Sequence, residues 1–375
     1  MRRDRGFSPC GPPVVRRLLG LFLALALLVG SPAEAQIRFM RNATVGAGAH
    51  FQTWSRDTQA GAQELSIPFF VILPLGKRLS LDVVSGSGFA SLDTSGSHSL
   101  GGLTDTKIRA SYIVGDELAL LNVGVNTPTG KTELTGDERQ VSGVLSQNAF
   151  GFRTASFGQG LDVNAGLAMA RKLGETVFGA GLGYLVKGEF TPSAEQEPYQ
   201  PGSELSLTLG LDRKIMDDDG KLTLDVIYTT YGADQKDGKE IFQSGAKILI
   251  QALLQVKKGT TDWRLFLIER TKGDSDYSSD DLTRTFTNGN QLQAGLSMLK
   301  QLSPALGLRI AADLKIYGDN GNNEGEATIM GIGPGIRYRF SPGRFIDLNL
   351  KYAQGKMDTR TVSGIEASCN LLFGM

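Results

Sequence analysis

The first feature of this 375-residue sequence that suggests chemistry is Gly130-Lys131-Thr132, which ends like a phosphate-binding loop. That motif requires a glycine five residues before Gly130, and Val125 stands there instead. His98, between two serines, could act as the base of a lipid hydrolase. Its Gly/Ser-rich surroundings favour a solvated loop residue. We therefore expect neither a nucleotide site nor enzymatic activity.

Metal-ligand chemistry is the second candidate, because acidic residues cluster in the polar stretches near 273–287 and 319–326. Oxygen ligands at alternate positions can hold calcium, but the spacing of an EF-type loop is missing. Solvated loop charge is the favoured interpretation, and bridging of divalent ions to lipopolysaccharide stays an alternative. Cys369 is the single cysteine outside the N-terminal segment, which excludes a cysteine-based metal site. We predict no metal and no cofactor.

A third set of residues carries charge of both signs on the polar face of alternating segments. The candidate pore-lining residues in this set are Lys107, Arg109, Asp162, Lys247, Arg309, Asp313 and Arg337. Two hypotheses stay open: a salt-bridged wall that only holds a shape, or a charged constriction that sets selectivity. The mixed sign argues against a pore dedicated to anions or to cations.

A two-residue period positions these charges. Residues 242–257, FQSGAKILIQALLQVK, place Ile248, Ile250 and Leu254 on one face and Gln251 and Lys257 on the other. Similar alternation recurs along the chain, and such segments exceed the usual strand of about five or six residues. An apolar face outside and a charged face inside are the pattern of outer-membrane strands. The predicted fold is all-β, a transmembrane antiparallel β-barrel.

Connection lengths predict the number of strands. Seven turn-like connections alternate with eight long polar stretches if residues 146–157 count as loop, and this gives sixteen strands. Phe150, Phe152 and Phe157 leave that segment open, because they fit a strand, a loop helix or a segment folded into the lumen. Fourteen strands with an N-terminal plug is the alternative. Residues 128–158 form a long loop that is a candidate plug.

The N-terminal segment predicts export. Arginines precede the apolar run from Leu18 to Gly30, and Ala33-Glu34-Ala35 forms a small-x-small cleavage site. We assign residues 1–35 to a signal peptide and 36–375 to the barrel. The first 35 residues hold five of the 39 basic and two of the 39 acidic residues, which leaves a net charge of −3. That balance argues against a nucleic-acid partner, and we predict localisation in the bacterial outer membrane.

The last strand, TVSGIEASCNLLFGM, places Ile365, Cys369 and Phe373 on one face, so Cys369 is expected to face lipid. It resembles the C-terminal strand that outer-membrane assembly machinery recognises, although Gly374 and Met375 follow the terminal aromatic. The predicted partners are outer-membrane lipid, lipopolysaccharide and the barrel-assembly machinery.

Three stretches resemble one known family. Gly102 to Lys107 running into IRASYIV, LNVGVNTPTGK at 121–131, and Gly158 to Gly174 are similar to outer-membrane transporters labelled for the meta pathway of phenol degradation, which are grouped with FadL-type channels. The resemblance covers residues 100–190, with Thr104 where the family has glycine. It implies a barrel that passes hydrophobic compounds and supplies no ligand residues.

Together, these observations predict an outer-membrane channel for passive passage of small solutes, with hydrophobic or aromatic compounds as the implied class. The alternative is a non-conducting structural or assembly barrel that anchors a surface or secretion partner.

Overall fold

The structure, a computed structural model, describes residues 43–374 except 57–58, 94–95, 116–118, 148, 194–195, 218, 280–281 and 321–324. The proposed signal peptide lies outside these residues. Within them, no helix has the length and apolar character needed to cross a membrane.

The described chain contains one helix and 22 strands. Helix α1 is Gly136–Leu145, and the strands are β1 (Thr44–Arg56), β2 (Gln59–Pro74), β3 (Leu79–Asp93), β4 (Ser97–Leu103), β5 (Thr106–Val114), β6 (Ala119–Thr127), β7 (Asp162–Leu173), β8 (Thr176–Val186), β9 (Tyr199–Gln200), β10 (Glu204–Ile215), β11 (Gly220–Tyr231), β12 (Ala233–Lys236), β13 (Lys239–Gln243), β14 (Lys247–Lys258), β15 (Thr261–Lys272), β16 (Ser275–Ser279), β17 (Leu282–Phe286), β18 (Gln291–Gln301), β19 (Leu306–Tyr317), β20 (Ala327–Ser341), β21 (Arg344–Met357) and β22 (Arg360–Gly374).

Seventeen of these strands form one antiparallel sheet that closes on itself, because β1 pairs with β22 from Thr44↔Gly374 to Arg56↔Val362. Strands β4 and β5 are two halves of one wall element, since both pair with β3 and the chain bends between them at Thr104-Asp105. The barrel therefore has sixteen wall elements. The predicted sixteen-stranded antiparallel barrel is confirmed, and the fourteen-stranded alternative is wrong.

The outer surface of the barrel is apolar and uncovered. The outward rows include Leu209, which is 55% exposed, and Leu350, which is 52% exposed, while the residues between them point inward. So large an apolar surface is unfavourable in water, whereas a closed barrel inside a bilayer needs it. This is the architecture of an outer-membrane protein, and Cys369 lies among the lipid-facing residues beside Ala49 and Leu348.

The two ends of the barrel differ. At one end the connections are short, as between Leu173 and Thr176. At the other end lie α1 and a second sheet of five strands, β9, β12, β13, β16 and β17, in three segments expected as loops. Cross-pairing explains the difference, since these three connections hydrogen-bond with one another, and the Tyr199 hydroxyl donates to Asp234. Burial and this hydrogen bond raise the pKa of Tyr199.

Three of the eight long polar stretches predicted as loops, residues 54–62, 91–102 and 356–360, are mostly strand. The gaps that remain are residues 57–58 between β1 and β2, 94–96 between β3 and β4, and 358–359 between β21 and β22. Continued backbone pairing lengthens the wall at this point. Polar residues can face outward there, because this part of the wall does not contact lipid.

We expect Leu350→Lys to destabilise the barrel by about 2–4 kcal/mol, because it places an ammonium group in the hydrocarbon region. Ser297→Lys is the matched control, since Ser297 faces the interior cavity. Denaturant titration of the refolded protein in lipid vesicles measures both. Equal losses for the two variants would contradict the assignment of faces.

Candidate functional site in the barrel lumen

Helix α1 begins at a complete capping box. The Thr135 hydroxyl accepts a hydrogen bond from the Glu138 amide, and the Glu138 carboxylate accepts one from the Thr135 amide at 3.0 Å. The Lys131 ammonium donates to the same carboxylate at 2.5 and 2.7 Å. Burial by itself would raise the pKa of Glu138, but the hydrogen bonds from Lys131 and Thr135 outweigh it and lower that pKa. Lys131 thus serves a helix terminus rather than a phosphate.

The segment after α1, residues 149–157, folds back against the inner wall; we call it the inserted segment. Glu64 on β2 holds it, since its carboxylate accepts from the Arg153 amide at 2.8 Å and from the Thr154 amide at 2.6 Å. Gln52 on β1 donates to the Gly151 carbonyl at 3.2 Å. Glu64 is 1% exposed, so these amides supply the hydrogen bonds that water would otherwise give.

Apolar side chains fill the space beneath the inserted segment and α1. Phe150 packs against Trp54 with ring centroids 5.4 Å apart, and Phe152 packs against Phe150 at 5.8 Å. The cluster includes residues from the first four strands and from the last four, and its further members are Ala62, Ala90, Leu92, Leu100, Val141, Leu145, Ala149, Phe157, Tyr317, Ala327, Ile329, Ala353, Met357 and Val362. Of the three alternatives for residues 146–157, the described residues adopt the segment folded into the lumen. This apolar core occupies one side of the long-loop end.

Below the core, the inner wall of β19 to β22 carries a network of ion pairs. The Arg337 guanidinium donates to the Asp347 carboxylate at 2.8 and 2.6 Å, and Arg309 reaches the same carboxylate at 3.4 Å. Nearer the core, the Lys351 ammonium lies 3.0 Å from Asp313 and 2.9 Å from Glu366. Antiparallel pairing produces these contacts, because it sets Arg337 opposite Asp347 and Lys351 opposite Glu366.

The structure places the candidate pore-lining residues on the inner face, in separate groups. Arg309, Asp313 and Arg337 belong to the β19–β22 network. On β5 to β7, Arg109 pairs with Asp82 at 2.7 Å and Asp162 accepts from Asn126 at 2.9 Å.

The other two candidates lie apart from that network. Lys107 lines a cavity between the wall and the inserted segment. Lys247 lies over the Tyr231 ring, 5.8 Å from its centroid.

Four residues of this site, Glu64, Asp347, Lys351 and Arg153, are not among the pore-lining residues predicted from the sequence. The two-residue period carries a signal for the first three, because Asp347 and Lys351 alternate with leucines and Glu64 precedes Leu65 on a strand. Arg153 has no such signal, since it belongs to a segment without strand periodicity.

Part of the inner face between β8 and β15 is formed by small or apolar residues. Gly179, Gly181 and Gly183 of β8 face the lumen, and a Cβ at Gly183 would have no atom within 4 Å. On β11 to β15 the inner face presents Ile227, Leu249, Leu253 and Ile268, all half-buried. These apolar residues share the inner face with polar ones such as Gln251 and Arg264, so the lumen is mixed here rather than uniformly polar as the alternation predicts.

His98 also departs from expectation. It lies on β4 rather than in a mobile loop, and its Nδ1 is 3.3 Å from an Asp137 carboxylate oxygen of α1. The contact joins the helix to the wall. The acidic stretches are only partly described, and within the described residues Asp276 accepts from Thr285 at 2.7 Å. No group of three or more His, Cys, Asp or Glu side chains in that part of the chain could hold a metal ion.

Comparison with known proteins gives matches at the level of solved structures. No family model and no curated protein matches the chain. A structure described as the CymD monoaromatic hydrocarbon channel is 12% identical over 90% of this chain and 89% of its own, with a TM-score of 0.43. Pseudomonas aeruginosa OccK11 (OpdR) is 12% identical over 89% and 96%, and Pseudomonas aeruginosa OpdQ is 11% identical over 89% and 99%; both have TM-scores of 0.46. Likenesses this distant carry no functional argument, and the family resemblance stays a prediction.

Replacement of Glu64 by alanine should release the inserted segment, because it leaves the buried Thr154 amide and the part-buried Arg153 amide without acceptors. The buried amide alone costs about 1–3 kcal/mol. Limited proteolysis of the folded barrel should then cleave within 149–157 faster than in the wild type. Glu64→Gln, which keeps one acceptor oxygen, should be intermediate. Glu133→Ala, an exposed glutamate of the same loop, is the control. Unchanged cleavage in Glu64→Ala would refute the role of this carboxylate.

Acid should loosen the start of α1. Because the folded-state pKa of Glu138 is lowered, its stabilising contribution is present at neutral pH. That contribution should begin to fall below the ordinary value of 4.5 and be lost once the pH passes the lowered pKa. Hydrogen exchange of residues 136–145, corrected for intrinsic rates, measures the effect. Glu138→Gln should abolish this pH dependence and Glu133→Gln should retain it; the same pH profile in all three proteins would contradict the assignment.

Proposed function

We propose that this chain is an outer-membrane channel through which small solutes pass passively. The observation that carries the proposal is the glycine-lined inner face of β8. There, a methyl group on Gly181 would approach no atom closer than 3.6 Å. Interior glycines leave space along the wall where the apolar core does not reach. A barrel of sixteen wall elements is also in the size class that encloses an aqueous channel.

Hydrophobic and aromatic solutes are the class we propose for this channel. The half-buried side chains of Ile227, Leu249 and Leu253 support it, because apolar groups on the inner face offer a solute contacts that water does not compete for. The resemblance of residues 100–190 to transporters of hydrophobic compounds agrees with the same class.

A non-conducting barrel that anchors a surface or secretion partner is the second candidate. The five-stranded sheet at the long-loop end favours it, since an ordered external platform suits a docking role better than mobile loops do. Purification with a stoichiometric partner would support this function. Recognition of β22 by the assembly machinery remains a proposal for either candidate, as do the boundaries of the signal peptide and plug.

The purified barrel should conduct in planar bilayers, and a deletion strain should take up small aromatic solutes more slowly. Gly183→Trp should lower single-channel conductance by roughly half or more, because the indole enters the open side of the lumen. The matched control is Leu182→Trp, whose side chain faces lipid. Sealed bilayers together with unchanged uptake would refute the channel.

A further inference from the structure

A cavity of about 420 Å³ lies in the lumen below the apolar core, against the ion-pair network. Its lining combines five cationic side chains, Arg153, Arg264, Arg309, Arg337 and Lys351, with two carboxylates, Asp347 and Glu366. The excess of three positive charges is held inside a barrel wall, where an electric field is screened less than on an open surface.

Both carboxylates of this cavity are already paired. Asp347 accepts from Arg337 and also lies within 3.4 Å of Arg309. Glu366 lies 2.9 Å from Lys351 and 3.8 Å from Lys315. The pore-lining residues predicted from the sequence carry both signs of charge. In this cavity, however, each carboxylate is paired with a cationic side chain, and further cationic groups remain in excess.

Two guanidinium groups of the cavity are free. Arg153 projects from the inserted segment and Arg264 from β15, and both residues are exposed to the lumen. Neither side chain has a hydrogen-bond or ion-pair partner among the described residues. Arginine offers planar, paired donors that match a carboxylate or phosphate. Two such groups, carried by different elements, line one cavity.

The wall beside Arg264 indicates the chemistry of the rest of the ligand. Phe266 and Ile268 follow Arg264 along the inner face of β15, so apolar contacts begin beside a free guanidinium. We propose that this cavity binds the oxyanion of a small organic anion, with the apolar part of the solute directed along β15. The binding site stands on the cavity alone, whereas passage of the anion through the barrel rests on the proposed channel function.

Calorimetric titration of the detergent-solubilised mature barrel tests the site with three probes: benzoate, inorganic phosphate and benzyl alcohol. We expect saturable binding of benzoate, weaker binding of phosphate, and no binding of benzyl alcohol. The double variant Arg153→Gln/Arg264→Gln should lose roughly tenfold or more in benzoate affinity, because it removes the charge-assisted hydrogen bonds of both guanidinium groups.

The matched control is Lys77→Gln/Arg78→Gln, which removes the same charge from an exposed turn outside the lumen and should leave benzoate binding unchanged. Gel mobility with and without heating verifies that each variant is folded. Equal benzoate affinity in the wild type and the Arg153/Arg264 variant would overturn the inference, as would binding of benzyl alcohol as tight as that of benzoate. Phosphate binding tighter than benzoate binding would overturn the proposal that the ligand is an organic anion.

Reversal potentials across a KCl gradient extend the test to conduction. The wild type should favour chloride over potassium, and the Arg153/Arg264 variant should reduce that preference roughly threefold. A conducting barrel with no benzoate binding would refute the binding site and leave the channel function standing. A barrel that binds benzoate but passes no current would refute the channel and leave the site standing.

Discussion

Hydrocarbon offers no hydrogen bonds, so every backbone amide and carbonyl within it must find a partner in the protein. In this chain the pairing of β1 with β22 meets that requirement, because it removes the two free edges that an open sheet would present. Closure then determines the rest. One face of each strand meets lipid, the other faces a lumen, and side chains far apart in sequence become neighbours across the interior.

Closure also leaves interior space that the inserted segment partly fills. A wide barrel encloses more space than its own wall residues fill, and at the long-loop end that space contains Trp54, Leu100 and Ile329. Phe150 and Phe152 belong to the same cluster, with Phe150 packed against Trp54, while the Glu64 carboxylate holds the inserted segment by two backbone amides. Apolar packing and one buried charge therefore act together, and the packing fills part of the lumen rather than a core between sheets.

The lumen that remains is asymmetric. Strands β19 to β22 carry paired charges, β8 carries glycines, and β11 to β15 carry aliphatic side chains among polar ones. The paired acids support the hypothesis of a salt-bridged wall for Arg337, Asp347 and Lys351. The free guanidinium groups of Arg153 and Arg264 support a selective constriction beside it. These two hypotheses describe different parts of one surface.

The two-residue period by itself determined the fold class and the face on which Arg309, Asp313 and Lys107 lie, because alternation depends only on neighbouring residues in an extended backbone. The sequence of short and long connections gave the sixteen wall elements. Alternation does not encode register. Only the tertiary structure decided that Arg337 stands opposite Asp347 and that three apparent loops pair into a second sheet. It also decided that Glu64 meets residues 153–154, about ninety positions later in the chain. That contact joins a strand to a segment without periodicity, so no local pattern in the sequence encodes it.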